Sequence, residues 1–176
     1  LAFRDSVKSS SATTVHELRK LSLKPMILSG DTVQATREIS REVGIDNLAA
    51  EAMPHEKAKR IMEIQDRGEV VAMVGDGIND APALAQADLG ISLASGSDIS
   101  IENSDITLLS DDLRIVPDTL RLAHRVLSTI KQNLFWAFAY NIVLIPLAIG
   151  GMLNPIIAAV TMTVSSLLVV CNSLRL

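Results

Sequence analysis

Aromatic residues are scarce in this 176-residue chain, with one Trp, one Tyr and three Phe, and its 16 Lys and Arg are outnumbered by 20 Asp and Glu. Nucleic-acid binding needs a cationic footprint for phosphates and ring faces on which bases can stack, so nucleic acid is excluded as a partner. Cysteine is almost absent: the single Cys171 rules out an internal disulfide and fits a reducing compartment. The sequence opens Leu1-Ala2-Phe3 without Met, a basic leader or a cleavage site, so no signal peptide is expected and the chain reads as a piece of a longer polypeptide. One absence is positional: no Asp, Glu, Lys or Arg occurs between Lys131 and Arg175.

What is present is apolar. At 48% hydrophobic residues and a mean hydropathy of +0.33, the chain is too oily for an ordinary soluble domain of its size, and part of it is expected in a bilayer. The division falls near Asn133. Before it, short apolar runs at 26–28, 70–74, 89–93 and 106–109 read as buried parallel strands, and helix-like stretches at 32–43, 55–67 and 79–86 lie between them. That alternation predicts an α/β fold, a Rossmann-like parallel sheet with helices on both faces, over residues 1–112. Residues 113–132 read as an amphipathic linker helix, with Leu120, Ala123, Leu127 and Ile130 on one side and Arg114, Arg121, Arg125 and Lys131 elsewhere.

Two apolar segments, 134–153 and 156–174, make up the rest of a third region, 133–176, and each approaches the ~20 residues that span a hydrocarbon core. A transmembrane hairpin is expected, turning at Gly150-Gly151-Met152-Leu153-Asn154-Pro155. Basic residues flank its outer ends and the turn carries no charge, so residues 1–132 are expected in the cytoplasm of a multi-pass protein in contact with lipid. Phe135 and Trp136 suit an interfacial belt.

The sharpest motif is Gly75-Asp76-Gly77-Ile78-Asn79-Asp80-Ala81-Pro82, which follows the 70–74 strand and opens a helix. Ligands of open α/β sheets bind at that carboxyl edge. Asp76 and Asp80, four residues apart, can hold a hard cation such as Mg²⁺, leaving other positions to water and phosphate. Gly75 and Gly77 permit close backbone approach, and Asn79 can orient a ligand without adding charge. Ser29-Gly30-Asp31 also leaves a strand and starts a helix, so its hydroxyl and amides can meet phosphoryl oxygens. Lys57 can neutralise phosphate charge if its helix faces the same cleft. Each short piece has a plainer explanation, a turn, an N-cap or a solvated lysine.

Together these pieces resemble the haloacid dehalogenase superfamily. The run MVGDGINDAPALAQADLGISLASGSDISIENSDITLLSD, from Met73 to Asp111, and the upstream FRDSVKSSSATTVHELRKLSLKPMILSGD are similar to the phosphorylation domain of heavy-metal P-type ATPases. The resemblance implies that Ser29, Gly30 and Asp31 stand at the family's Thr-Gly-Asp loop. It also implies that Lys57 faces phosphate and that Asp76 and Asp80 bind Mg²⁺. ATP would be the phosphoryl donor to an aspartate in an Asp-Lys-Thr-Gly-Thr motif. That motif does not occur in this sequence, and Asp5, in Phe3-Arg4-Asp5-Ser6, resembles a later strand end. The chain by itself is therefore expected neither to hydrolyse ATP nor to move an ion. The partners implied are the upstream domains of the same pump and a copper chaperone.

Polar groups inside the spans mark pathways or helix contacts. The first span offers Asn133, Tyr140, Asn141 and Pro146, the second Met162, Ser165, Ser166 and Asn172, all uncharged. Thioether, amide and hydroxyl groups suit a soft monovalent ion better than Ca²⁺ or Zn²⁺. The pattern resembles the Cu(I)-exporting branch, which implies ion ligands at Tyr140, Asn141, Met162 and Ser166, with Ag(I) as the close alternative. Helix packing competes as an explanation for the small polar residues. Two other functions stay open: a soluble phosphatase of the haloacid dehalogenase type, and a non-catalytic membrane protein that binds metal or modulates a pump.

Overall fold

The computed structural model describes residues 10–151 and 154–176. Phe3-Arg4-Asp5-Ser6 and positions 152 and 153 of the expected inter-helix turn lie outside the described residues. By its contacts the chain divides into two units between Pro117 and Asp118.

In the first unit, local chemistry sets the element boundaries. Helix α1 (Ser11–Lys20) ends with Arg19 and Lys20, cations that suit the carbonyl end of a helix. Strand β1 (Ile27–Leu28) leads to α2 (Val33–Val43), where the Thr32 hydroxyl accepts from Ala35 N. Gly44 stops α2 in the left-handed region at φ 74°, which glycine adopts without a Cβ penalty. Strand β2 (Leu48–Ala49) precedes α3 (Pro54–Gln65), which has proline in its first turn, and the Glu56 carboxylate accepts from Met53 N at 2.8 Å. Strand β3 (Ala72–Gly75) passes through a 3₁₀ turn (Ile78–Asp80) into α4 (Ala81–Gln86). Strand β4 (Leu89–Ser92), helix α5 (Asp98–Glu102) and strand β5 (Ile106–Thr107) complete the unit.

All the strand pairs are parallel, β1 with β2 and β3-β4-β5 in that order, each successive pair joined through a helix as parallel pairing demands. The two residues of β1 show how the layers form. Ile27 packs on Val15, Val43 and Ile45 of the α1–α2 side, whereas Leu28 packs on Ile61, Met73, Ala83 and Leu84 of the α3–α4 side. Successive strand side chains point to opposite faces, so helices cover the β1 ladder on both. Burying Ile61 and Leu84 contributes about 1.5–3 kcal/mol each.

Strand β3 begins at Ala72 instead of Val70. The Val71 amide donates to the Asp88 carboxylate at 2.8 Å while the Val71 carbonyl accepts from Asp88 N and Leu89 N, so the chain enters the ladder from a turn, and Val70 is exposed. The Val71 amide first, then Gln65, holds the Asp88 carboxyl below its ordinary range. Strand β2 and helices α1 and α5 lie outside the segments expected from hydropathy; β2 is two residues long and α5 five.

The second unit contains most of α6 (Ile115–Ile149) and all of α7 (Pro155–Ser173). Linker helix and first span, expected as separate elements, are one continuous helix of 35 residues, about 52 Å long. Among the described residues α6 is the helix long and apolar enough to cross a membrane; residues 158–173 of α7 form a shorter apolar stretch. Leu127 and Ile130, on the apolar side read for the linker helix, are exposed. Phe135 and Trp136 meet edge to face with centroids 5.4 Å apart.

Polar residues fasten the two helices at one end. Asn133 Nδ2 donates to Ser173 Oγ at 3.0 Å, and Asn172 Nδ2 donates to Asn133 Oδ1 at 2.9 Å and to Gln132 Oε1 at 3.4 Å. Tyr140 lies seven residues beyond Asn133 and Ser166 seven before Ser173, so helical rise puts both at the same depth, ~10 Å from the fastening. Met162, one helical turn further from Ser173, lies ~6 Å deeper.

Candidate active site

The carboxyl end of β3 delivers Gly75 and Asp76 to the sheet edge, and the 3₁₀ turn folds Asp80 back over them. A Cβ on Gly75 would stand 2.8 Å from Asp80 Cβ and 3.0 Å from Asp80 Oδ2, so glycine is required for Asp80 to sit there. Asp80 Oδ1 accepts from Lys57 Nζ at 2.7 Å, with the two side chains only 14% and 9% exposed. Asp80 Oδ2 accepts a long bond of 3.4 Å from Gly77 N. Lys57 is placed by α3, whose Gln65 holds α4 at the other end: Gln65 Nε2 donates to Gln86 O at 3.0 Å and Gln86 Nε2 donates to Gln65 Oε1 at 2.9 Å. The two helices that carry Lys57 and follow Asp80 are thus clasped together.

Asp76 and Asn79 are exposed, and their side chains form no hydrogen bond or ion pair among the described residues. Ser29 and Asp31 form a closed pair, the Ser29 hydroxyl donating to Asp31 Oδ2 at 2.9 Å while Asp31 N donates to Ser29 Oγ at 3.1 Å. Their backbone carbonyls accept from Ala52 N at 3.0 Å and Glu51 N at 2.8 Å, which ties this loop to the segment entering α3. A Cβ on Gly30 would approach the Ala52 carbonyl at 3.6 Å, an ordinary contact. Lys57 and Asp80 are therefore joined directly, whereas the Ser29–Asp31 pair connects to α3 through backbone.

Residues that sequence reasoning missed hold the Gly75-Asp76-Gly77 backbone. Leu93 N donates to Gly75 O at 3.4 Å, Ser97 N to Asp76 O at 3.0 Å and Ser100 Oγ to Gly77 O at 2.6 Å. Only the Ser97 N-cap of α5 carries a sequence signal.

The arrangement fits Mg²⁺ by its donor set. Asp76 presents an uncommitted carboxylate, and Asp80 has an oxygen engaged only by a long amide contact. No group of three or more His, Cys, Asp or Glu with metal-site geometry occurs among the described residues. Mg²⁺ characteristically uses one or two carboxylates and fills its remaining positions with water and phosphate oxygen.

A family model described as haloacid dehalogenase-like hydrolase matches residues 1–88, half of the chain. The chain belongs to the haloacid dehalogenase-like hydrolase family. Over its whole length it is also 48% identical to a "Probable copper-exporting P-type ATPase V" of Mycobacterium tuberculosis, covering 23% of that relative. It is 45% identical to a "Copper-exporting P-type ATPase" of Staphylococcus saprophyticus, covering 22%. The crystal structure of a zinc-transporting PIB-type ATPase in its E2.Pi state superposes with a TM-score of 0.91 at 33% identity, over 98% of this chain and 28% of that one. This haloacid dehalogenase-like chain thus spans about a quarter of the length of the curated relatives it matches.

The similarity to P-type ATPases extends past the haloacid dehalogenase-like part into α6 and α7. There Asn141 Nδ2 donates to Ala137 O at 2.7 Å and Ser166 Oγ to Met162 O at 3.1 Å, each to the carbonyl one turn back, while the Met162 side chain is exposed. Tyr140 is partly covered. Asn133 and Asn172, read from sequence as pathway or contact residues, bond to each other.

Proposed function

We propose that this chain is the C-terminal part of an ATP-driven pump that exports Cu(I), with Ag(I) as an alternative cargo, through an aspartyl-phosphate formed on a residue outside it. The observation that carries the reading is similarity to copper-exporting ATPases along the whole of this chain together with the absence of any charged residue between Lys131 and Arg175. A divalent ion would be helped by an intramembrane carboxylate, whereas thioether and neutral oxygen donors suit Cu(I).

In this reading Asp76 and Asp80 hold Mg²⁺, which would screen charge on the transferring phosphoryl group. Lys57 positions Asp80 with one ammonium proton and has two more for phosphoryl oxygens. Ser29 contributes its hydroxyl, Asp31 keeps that hydroxyl oriented, the Gly30 backbone allows close approach, and Asn79 orients the ligand from the exposed rim. Gly75 and Gly77 let the loop close over the phosphate. Tyr140, Asn141, Met162 and Ser166 offer the cargo phenol, amide, thioether and hydroxyl groups at two neighbouring depths of the hairpin. Residues 1–132 lie in the cytoplasm, with 1–112 as the phosphorylation region, 113–132 as a linker leading into and along α6, and 133–176 among lipid. The upstream pump domains are partners, and a copper chaperone supplies the ion.

The test is metal-stimulated ATP hydrolysis by the full-length protein in membrane vesicles. Stimulation by Cu(I) or Ag(I) and not by Zn²⁺ is expected. Stimulation by Zn²⁺ alone would sink the copper reading, and solubility of the full-length protein without detergent would sink the membrane placement.

A further inference from the structure

Three successive carbonyls of the Asp76 loop, those of Gly75, Asp76 and Gly77, are each bonded by the stretch from Leu93 to Ser100, which leaves β4 and enters α5. Two of these bonds come from backbone amides and tolerate any side chain. The third comes from the Ser100 hydroxyl, on a side chain with 0% exposure. Its single proton goes to Gly77 O at 2.6 Å, because a carbonyl cannot donate. In the 3.0 Å contact between Ser97 Oγ and Ser100 Oγ the donor must therefore be Ser97, whose oxygen in turn accepts from Ser100 N at 3.2 Å. The result is a directed chain, Ser97 hydroxyl to Ser100 hydroxyl to Gly77 carbonyl, in which each bond polarises the next.

Gly77 is also the point where the loop meets Asp80. Its carbonyl accepts a second bond from Asp80 N at 2.9 Å, which fills both lone pairs, and its own amide reaches Asp80 Oδ2. The conformation of the Gly77 backbone therefore fixes the angle between the backbone at Asp76 and the carboxylate of Asp80, and Ser100 is the buried side chain that holds its carbonyl.

We propose that Ser100 is a positioning residue for Mg²⁺, acting through the Gly77 peptide and making no contact with metal or phosphate; this rests on Asp76 and Asp80 binding Mg²⁺. Groups that orient metal ligands from behind change metal affinity by about 10–100-fold when removed. Because the Asp80 amide still bonds Gly77 in a Ser100→Ala protein, the low end is expected.

The experiment is phosphorylation of the full-length protein by inorganic phosphate as a function of free Mg²⁺. Ser100→Ala should raise the half-saturating Mg²⁺ about tenfold while leaving the level at saturating Mg²⁺ near that of the parent protein. Ser100→Cys, which keeps a weaker donor on a somewhat larger atom, should fall between them and serves where the alanine protein does not fold. An unchanged Mg²⁺ requirement in both variants overturns the inference, as does a lowered maximum that added Mg²⁺ does not restore. If the parent protein forms phosphoenzyme without Mg²⁺, the metal reading of Asp76 and Asp80 itself falls, an outcome visible before any variant is made.

Discussion

Lys57 and Asp80, 23 residues apart, meet at 2.7 Å in a nearly buried ion pair at the carboxyl edge of the sheet. Breaking one partner of such a pair leaves an uncompensated charge, which costs about 3 kcal/mol. Lys57→Met and Asp80→Asn should each destabilise the first unit by that order, and the double variant by about 1–3 kcal/mol less than their sum. Denaturant unfolding of the four proteins measures the coupling; additive losses would mean that the pair is not formed.

Gly75 faces Asp80 so closely that a methyl group would need the space of its carboxylate, with 2.8 Å left to Asp80 Cβ. Gly75→Ala in the full-length protein should reduce phosphorylation by inorganic phosphate by more than about tenfold, equivalent to ~1.4 kcal/mol. Cu(I) binding should stay intact. Radiolabel incorporation at fixed Mg²⁺ checks the first, and Cu(I) titration the second.

Met162→Ala should do the reverse, weakening Cu(I) binding by more than about tenfold while Mg²⁺-dependent phosphorylation by inorganic phosphate persists. Equal loss of both would point to misfolding and remove Met162 from the ligand set.

The Asp112 carboxyl is pulled from 3.8 to about 2, first by the hydrogen bond from the Arg114 guanidinium and then by the Arg114 amide. Since the folded value lies below the unfolded one, the pair's contribution to stability is present above the ordinary carboxylate range and is lost as pH falls through about 2. Arg114→Ala should move the Asp112 titration, followed by carboxyl-carbon NMR, up toward 3.8. A midpoint that stays where it was would show that the arginine does not set it.

Motifs that combine a strand, a turn and a helix start were legible because local chemistry dictates them. The Asp76 and Asp80 loop, the Thr32 and Ser29 region and the proline-led α3 all follow from residue types at fixed offsets. The Lys57 to Asp80 bond was not, because it depends on how α3 and α4 pack. The Gln65 and Gln86 clasp that sets this packing is one pair of amides among many polar residues. Ser100 was invisible for a related reason: a buried serine on a five-residue helix has neither periodicity nor charge to announce it. In the second unit hydropathy revealed the apolar helices, but it placed a break near Asn133 where charge ends, and helical hydrogen bonding continues through a change in polarity without interruption. Asn133 and Asn172 stood out as costly polar groups, yet only the folded hairpin shows that each answers the other.

The fastening among Asn133, Asn172 and Ser173 sets the phase of the hairpin. Sliding one helix past the other by a single residue moves its side chains ~1.5 Å along the axis and ~100° around it, which would separate these amide and hydroxyl partners at once. Tyr140 and Ser166, at equal distance from the fastening, cannot then change level independently. A shift of α6 along its axis must carry α7 with it, as meshed gears turn only as a pair.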